Sequence, residues 1–451
     1  MILATVAGLA LAATGLSVAM ARLGPTVDTV STATTLDGTL VNSPVAVTFA
    51  QPMNIPSVER HFHLAPTVAG SYSWSGNEML FLPSKNLAYH QHYALSIGRL
   101  AKDTTGKHLG KTFISTFTTQ SQHLLFLGSS GAQRNRLILA TVSGQRQVVG
   151  PNDGSITEFA VSQDHSLVTF ARRGASGERA DEIWILSVSD NSAQMVFRRP
   201  AWTITQPHLS ADNRYIVFLA TNVRICRKYY GCYRDTTSPL VYFYDLRTRK
   251  VFPFHSTSDT PITNFIAFSP SNQVAYTDLG SALVLASPTG SSITHIPNSG
   301  NSLEFQGFDP NGDKAVFVGQ TPSSSGGDIL LYWHSRYTDV SSGVYDSSTP
   351  SFSSSGTQVT YSAYRTERGI EPVYGINRYD TRSHRTTHLT SSKNRTDWAP
   401  SWSLDDRYVG FVRSAPQEAM YLGSGYVWVM RSDGTRAHSL GVQGSNVSWV
   451  S

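Results

Sequence analysis

Cysteine is nearly absent: 451 residues hold two, Cys226 and Cys232. A lone pair of thiols cannot complete a cysteine-ligated zinc site, and their spacing is wider than the Cys-x-x-Cys of a redox centre. Charge is scarce too, at 15% of residues, well below the share usual in soluble domains. The net charge of +5 is compatible with polyanionic partners but far from requiring nucleic acid, and none is expected. No Gly-x-Ser-x-Gly occurs, and from Gln122 to Ser451 no useful length of helical periodicity is found. A nucleophile-elbow hydrolase would therefore lack both its motif and its α/β scaffold. No cofactor is expected.

What is abundant is Ser, Thr, Gly and Tyr, with 40% hydrophobic and 11% aromatic residues, enough to fill several cores on a turn-rich all-β plan. One unit repeats. In the run from Asp397 to Phe411, Pro400 and Trp402, then Val409 and Phe411, alternate with smaller or polar residues around an Asp405-Asp406 turn. Ser403 lies eight residues before Phe411, and the same interval separates Ser353 from Tyr361, Asp309 from Phe317, Ser210 from Phe218 and Ser162 from Phe170; Ser269 to Tyr276 is one shorter. Five residues before the aromatic stand Asp406, Gly356, Gly312, Asn213 or His165, types that tolerate positive φ in a hairpin turn.

The closing aromatics, Phe126, Phe170, Phe218, Tyr276, Phe317, Tyr361 and Phe411, recur every 41 to 58 residues. Four-stranded units of that length read as propeller blades, and the count is seven, with six as the alternative. Further strands are expected at Glu182-Ile-Trp-Ile-Leu and Tyr426-Val-Trp-Val-Met, and a weaker one at Arg385-Thr-Thr-His-Leu. The first unit lacks a leading strand, whereas Asn446-Val-Ser-Trp-Val-Ser451 is a leading strand with nothing after it. The last strand is thus expected to complete the first blade and remove the exposed sheet edge.

Ahead of the repeats, strands are expected at Val45–Phe49, His61–Leu64, Gly70–Trp74, Met79–Phe81, Ala94–Ile97 and Phe113–Thr118, which suggests a β-sandwich over residues 37–120. The run Val47-Thr-Phe-Ala-Gln-Pro-Met53, with Gly70-Ser-Tyr-Ser-Trp74, Leu80-Phe-Leu-Pro83, Tyr93-Ala-Leu-Ser-Ile97 and Phe113-Ile-Ser-Thr-Phe-Thr118, resembles the bacterial Ig-like domain of surface-layer proteins. That resemblance implies a spacer or adhesion module at the cell surface. Residues 22–36 read as a linker, and 1–21 as a hydrophobic N-terminal helix. Ile2–Met20 carries no charge, is long enough to span a bilayer, and ends in Ala19-Met20-Ala21 like a secretory cleavage site. Export is the expectation, with a cleaved signal peptide and a membrane anchor both open.

The repeats at 121–451, with Trp402-Ser-Leu-Asp-Asp, Phe352-Ser-Ser-Ser-Gly and Phe268-Ser-Pro-Ser-Asn as degenerate copies, resemble the TolB-type propeller. The family's best-known members have six blades. A propeller of this kind is also similar to the first half of certain serine peptidases, but the Gly-x-Ser-x-Gly motif and α/β stretch of their hydrolase domain are not found in this sequence.

Candidate ligand contacts concentrate in the loop that interrupts the third unit: Arg224, Arg227, Lys228, Tyr229, Tyr230, Tyr233 and Arg234, with Cys226 and Cys232 as an expected disulfide staple. Guanidinium and ammonium groups meet phosphate or carboxylate, and tyrosine faces cover sugar rings; a merely solvated loop is the structural alternative. A second cationic run, Arg365, Arg368, Arg378, Arg382, Arg385, Lys393 and Arg395, is followed by Trp398. The pairs His61/His63 and His90/His92 have a spacing that metal sites use but no third ligand, and Asp309-Pro-Asn-Gly-Asp313 falls at a repeat turn, so no metal site is expected. The resulting expectation is an exported or tethered surface protein whose propeller binds cell-wall polymer or an envelope protein without catalysis. A polysaccharide-active hydrolase or lyase in the funnel, and a purely structural surface-layer role, are the alternatives.

Overall fold

A computed structural model describes residues 24–35, 38–173, 181–221, 223–227, 231–235, 240–254, 264–277, 281–288, 293–298, 303–319, 327–341, 346–365, 373–390, 394–415 and 425–451. The chain divides into two compact units, Met1–Ser121 and Gln122–Ser451. The expected N-terminal helix lies outside the described residues. Among those described, no helix is long and apolar enough to cross a membrane.

The first unit is a two-sheet sandwich. One sheet orders Val27–Thr32, Val45–Phe49, Glu78–Pro83 and Gly70–Ser75; the other orders Phe62–Ala65, His92–Ile97 and Phe113–Thr118. Period-two alternation sends Val45, Val47, Phe49, Met79 and Phe81 from one sheet, and Phe62, Leu64, Tyr93, Leu95 and Ile97 from the other, into one buried core. The strand expected from His61 begins at Phe62, because Ile55–His61 is a helix. Asn54 caps it by accepting from Ser57 N at 3.1 Å, Pro56 sits in its first turn, and Val58 plugs the core.

The second unit is built of antiparallel sheets in chain order. Five have four strands and span 156–198, 203–253, 264–297, 303–339 and 346–388. A seven-stranded sheet runs Arg146–Val149, Leu137–Ala140, His123–Gly128, His438–Val450, Gly425–Arg431, Tyr408–Ser414, Thr396–Trp402. Its middle strand serves two groups: His438 to Gly444 pairs with Gly425–Arg431, and Gly444 to Val450 with His123–Gly128. The chain's last strand thus supplies the leading strand of the first group.

Among the described residues seven apolar clusters each hold one of the closing aromatics at 0% exposure: Phe126 packs the two halves of the seven-stranded sheet on each other, and Phe170, Phe218, Tyr276, Phe317, Tyr361 and Phe411 lie between consecutive sheets. The clusters run from sheet to sheet and return to the first, which is the packing of a propeller. Leading strands lie against one another from 156–161 to 203–209 to 264–268, and from 303–308 through 346–352 and 396–402 to 438–450, so they occupy the centre.

The repeat's hairpin turns share a clamp. Ser162, Ser210, Ser269, Ser353 and Ser403 are buried, and each hydroxyl accepts from a backbone N–H across its turn; Asp309 does this with Lys314 N. His165, Asn213, Gly312, Gly356 and Asp406 all take positive φ, as their residue types predict. The turns also reach their neighbours. Asn213 donates to Asp164 at 2.9 Å, Asp212 N to Asn272 at 3.0 Å, Lys314 Nζ to Gly356 O at 3.2 Å, Ser354 N to Asp406 at 2.6 Å and Leu404 N to Gln122 at 2.9 Å.

Candidate functional site

At the end of the sheets opposite these turns, the central strands meet the connections that vary most between units. The leading strands there have a free inner edge, since each ends its sheet, apart from His438–Val450, which changes partners at Gly444. Bulges interrupt them at Gln206, Thr349, Ala399 and Asn446, all with positive φ. Side chains of the preceding sheet cover the edge. Asp181 accepts from Ile204 N at 2.9 Å, Glu158 accepts from Gln206 N, and Thr349 Oγ1 accepts from Ala399 N at 3.2 Å. Burial, and then the nearby Asp181 charge, push the Glu158 carboxyl above the usual carboxylate range despite that hydrogen bond. Burial likewise raises Asp181, partly offset by Ile204 N–H and Arg173. Neither carboxylate stood out in the sequence. The available signal was an acid, Glu158, in the middle of the otherwise apolar-patterned strand Ile156–Val161.

Around this edge lies a rim of arginines over aromatic rings. Arg172 pairs with Asp153 at 2.6 Å and approaches Glu182 at 3.6 Å, Arg198 reaches Glu182 at 3.7 Å, and Trp184 Nε1 donates to Glu182 at 2.9 Å. Arg172 also lies over the Trp184 ring at 5.1 Å. Arg199 lies over Trp202 at 4.6 Å, and Trp202 packs on Tyr242 at 4.6 Å. In the seven-stranded sheet, Arg413 grips Asp397 through two nitrogens, at 2.5 and 2.7 Å, and lies over Trp428 at 4.4 Å. The rim carboxylates are therefore already partnered; Arg198 reaches Glu182 from an exposed position, and Arg199 is exposed.

The interrupting loop leaves this same end. The strand Tyr215–Thr221 pairs with Thr203–Leu209 and Leu240–Asp245, and between them stands a two-stranded hairpin, Val223–Arg227 with Gly231–Asp235. Its backbone register sets Arg224 opposite Arg234, Ile225 opposite Tyr233 and Cys226 opposite Cys232. The side chains of this hairpin, and all of Lys228, Tyr229 and Tyr230, lie outside the described residues. Trp398 is elsewhere, half-buried on the leading strand Thr396–Trp402, with its indole N–H buried and unpartnered. The fold places it in the seven-stranded sheet, not the sheet that bears the hairpin.

The other sequence candidates disperse. Arg378 donates to Ser432 O at 2.7 Å, while Arg382, Arg385 and Arg395 are exposed; Arg368 and Lys393 lie outside the described residues. His61 ends a helix and bonds Ser57 O, so it does not share a strand face with His63. His90 and His92 meet Ser121 and Thr118. Asp309 is buried and paired with Lys314 at 3.0 Å. Among the described residues no three His, Cys, Asp or Glu side chains come together as a metal site.

Comparison with known proteins adds the following. Residues 22–119 match the family of bacterial Ig-like domains. No curated protein matches the sequence. Similar solved structures include a putative TolB from Agrobacterium tumefaciens, at 18% identity over 60% of this chain and 92% of that one, with a TM-score of 0.42. Others are an oligogalacturonate lyase from Vibrio parahaemolyticus, at 11% identity, 87% and 95% coverage and a TM-score of 0.47, and dipeptidyl peptidase 4 from Porphyromonas gingivalis, at 14% identity, 87% and 62% coverage and a TM-score of 0.44. Residues 22–119 are thus a bacterial Ig-like domain, followed by the β-propeller that the sheets and their clusters build.

Proposed function

We propose that this is a binding protein of the cell surface, with the Ig-like domain as spacer and the propeller holding an anionic macromolecule at its loop face. Cell-wall glycan suits the charge best, and an envelope protein is the alternative partner. The observation that carries the reading is the charge arrangement where the 156–198 sheet meets the 203–253 sheet. Glu182 is tied to Arg172 and Arg198, Asp153 to Arg172 and Asp181 to Ile204 N–H, while Arg199 is exposed over Trp202 and the sequence of the loop that leaves the same end holds Arg224, Arg227, Lys228 and Arg234. Exposed guanidinium groups next to aromatic surface recognise phosphate or carboxylate on a sugar polymer. Replacing Arg199, Arg227 and Lys228 together by Ala is expected to weaken retention on isolated cell wall without lowering the unfolding temperature. Unchanged retention would remove this face from the account.

A second reading, a polysaccharide hydrolase or lyase at the axis, draws on the raised carboxyls of Glu158 and Asp181. Both are engaged with the edge of the neighbouring strand, which favours a structural task for them. Products released from an acidic glycan panel, and lost in Glu158→Gln, would reverse that preference.

A further inference from the structure

The two cysteines of the chain are directly opposite each other in the Val223–Arg227/Gly231–Asp235 hairpin. Opposed residues of an antiparallel ladder have Cα atoms about 4.5 or 5.5 Å apart, within the span a disulfide requires. Six residues of separation, with the turn between them, put this juxtaposition in the hairpin itself and make it independent of the rest of the ring. We propose that Cys226 and Cys232 are joined by a disulfide that fixes the hairpin as a stiff cationic arm, and that the protein matures in an oxidising compartment.

Bond formation is a thiol–disulfide exchange with an oxidised dithiol donor. One cysteine thiolate attacks the donor disulfide and releases one donor sulfur as thiolate. The second cysteine thiolate then displaces the donor's other sulfur, so the protein loses two electrons and two protons and the donor becomes a dithiol. The arm gains because the staple removes open conformations from a short hairpin that, among the described residues, pairs with no further strand. Fixing it places Arg224 and Arg234, held opposite each other by register, at a set spacing before any ligand arrives.

The inference stands on register and not on the binding reading, and its test is separate. The full chain is exported in a bacterial host, thiols are alkylated at the moment of cell opening, and the protein is digested with trypsin without reductant. Cleavage at Arg227 and Lys228 separates the cysteines, so the peptide ending in Cys226-Arg227 and the peptide Tyr229–Arg234 stay together only through a disulfide. The expected result is that linked species, lighter by two hydrogens than the sum of the two peptides, with no alkyl group on either cysteine. Alkylation of both cysteines, or linkage between two copies of the chain, would overturn the proposal. A Cys226→Ser/Cys232→Ser variant should fold with the same unfolding temperature, yet be cut at Arg227 faster than the oxidised parent; equal cutting rates would remove the stiffening role.

Discussion

The ion pairs of the propeller differ widely in worth, and burial decides which ones matter. Asp397 has 1% of its side chain exposed and Arg413 14%, with two short bonds between them, while Arg407 in the Arg407–Asp405 pair is 63% exposed. Cutting a buried pair leaves an uncompensated charge, whereas an exposed pair is screened by water. Arg413→Ala should therefore cost about 3 kcal/mol or more in urea unfolding, and Arg407→Ala less than about 1 kcal/mol. Titration offers a second residue-level test. Burial depresses the His208 pKa from 6.5 to about 4, and burial lowers His165 as well, with Trp449 O and Asp164 pulling the other way. Between those values the unfolded chain takes up a proton that the fold refuses, so the stabilisation is complete above pH 6.5 and declines as pH falls toward 4. Denaturation midpoints between pH 7.5 and 5 should drop, and His208→Gln should flatten the slope; a midpoint indifferent to pH would contradict this.

At the level of elements, the hairpin frame was legible because its causes are local. The buried Ser or Asp, the αL residue and the closing aromatic sit within eight residues, so one turn writes its own signature in the sequence. Ser210 shows why the position is Ser: its hydroxyl accepts from Arg214 N and Tyr215 N and donates to Asp212, at 0% exposure. Ser210→Ala would strand these groups and is expected to cost about 1–3 kcal/mol, read from the denaturation midpoint. The edge caps were illegible for the opposite reason. Glu158 serves a strand 48 residues away and Asp181 one 23 residues away, and no local pattern announces either. The helix Ile55–His61 was missed because it is too short to show a period, although Asn54 and Pro56 marked its start. The arginine rim was not legible in the sequence, since its partners come from separate strands.

For the whole molecule, closure rests on one strand that changes partners at Gly444. That residue pairs with both Gly425 and Gly128, and a Cβ there would lie 2.6 Å from Phe126 Cδ2 and 3.0 Å from Leu127 O. Sequence reading located the closing strand from its unmatched leading pattern, but the double pairing follows from the three-dimensional overlap of its two halves. Gly444→Val should force the two halves of the seven-stranded sheet apart and lower stability by about 3 kcal/mol or more, beyond ordinary overpacking. Limited proteolysis should then release fragments from the 396–451 region first; even cleavage across the ring would argue against a weak point at the closure.

The proposed binding role depends on the loop face acting as a cationic surface, and its most direct test is retention of the full chain on purified anionic cell-wall polymer across a salt series. From about 0.1 M to about 1 M salt the screening length shrinks from about 10 Å to about 3 Å. Binding through Arg198, Arg199 and the 223–235 hairpin predicts retention that falls steeply over that range and is already weak at low salt in the Arg199, Arg227 and Lys228 variant. Retention indifferent to salt, or none at any salt, would contradict the account.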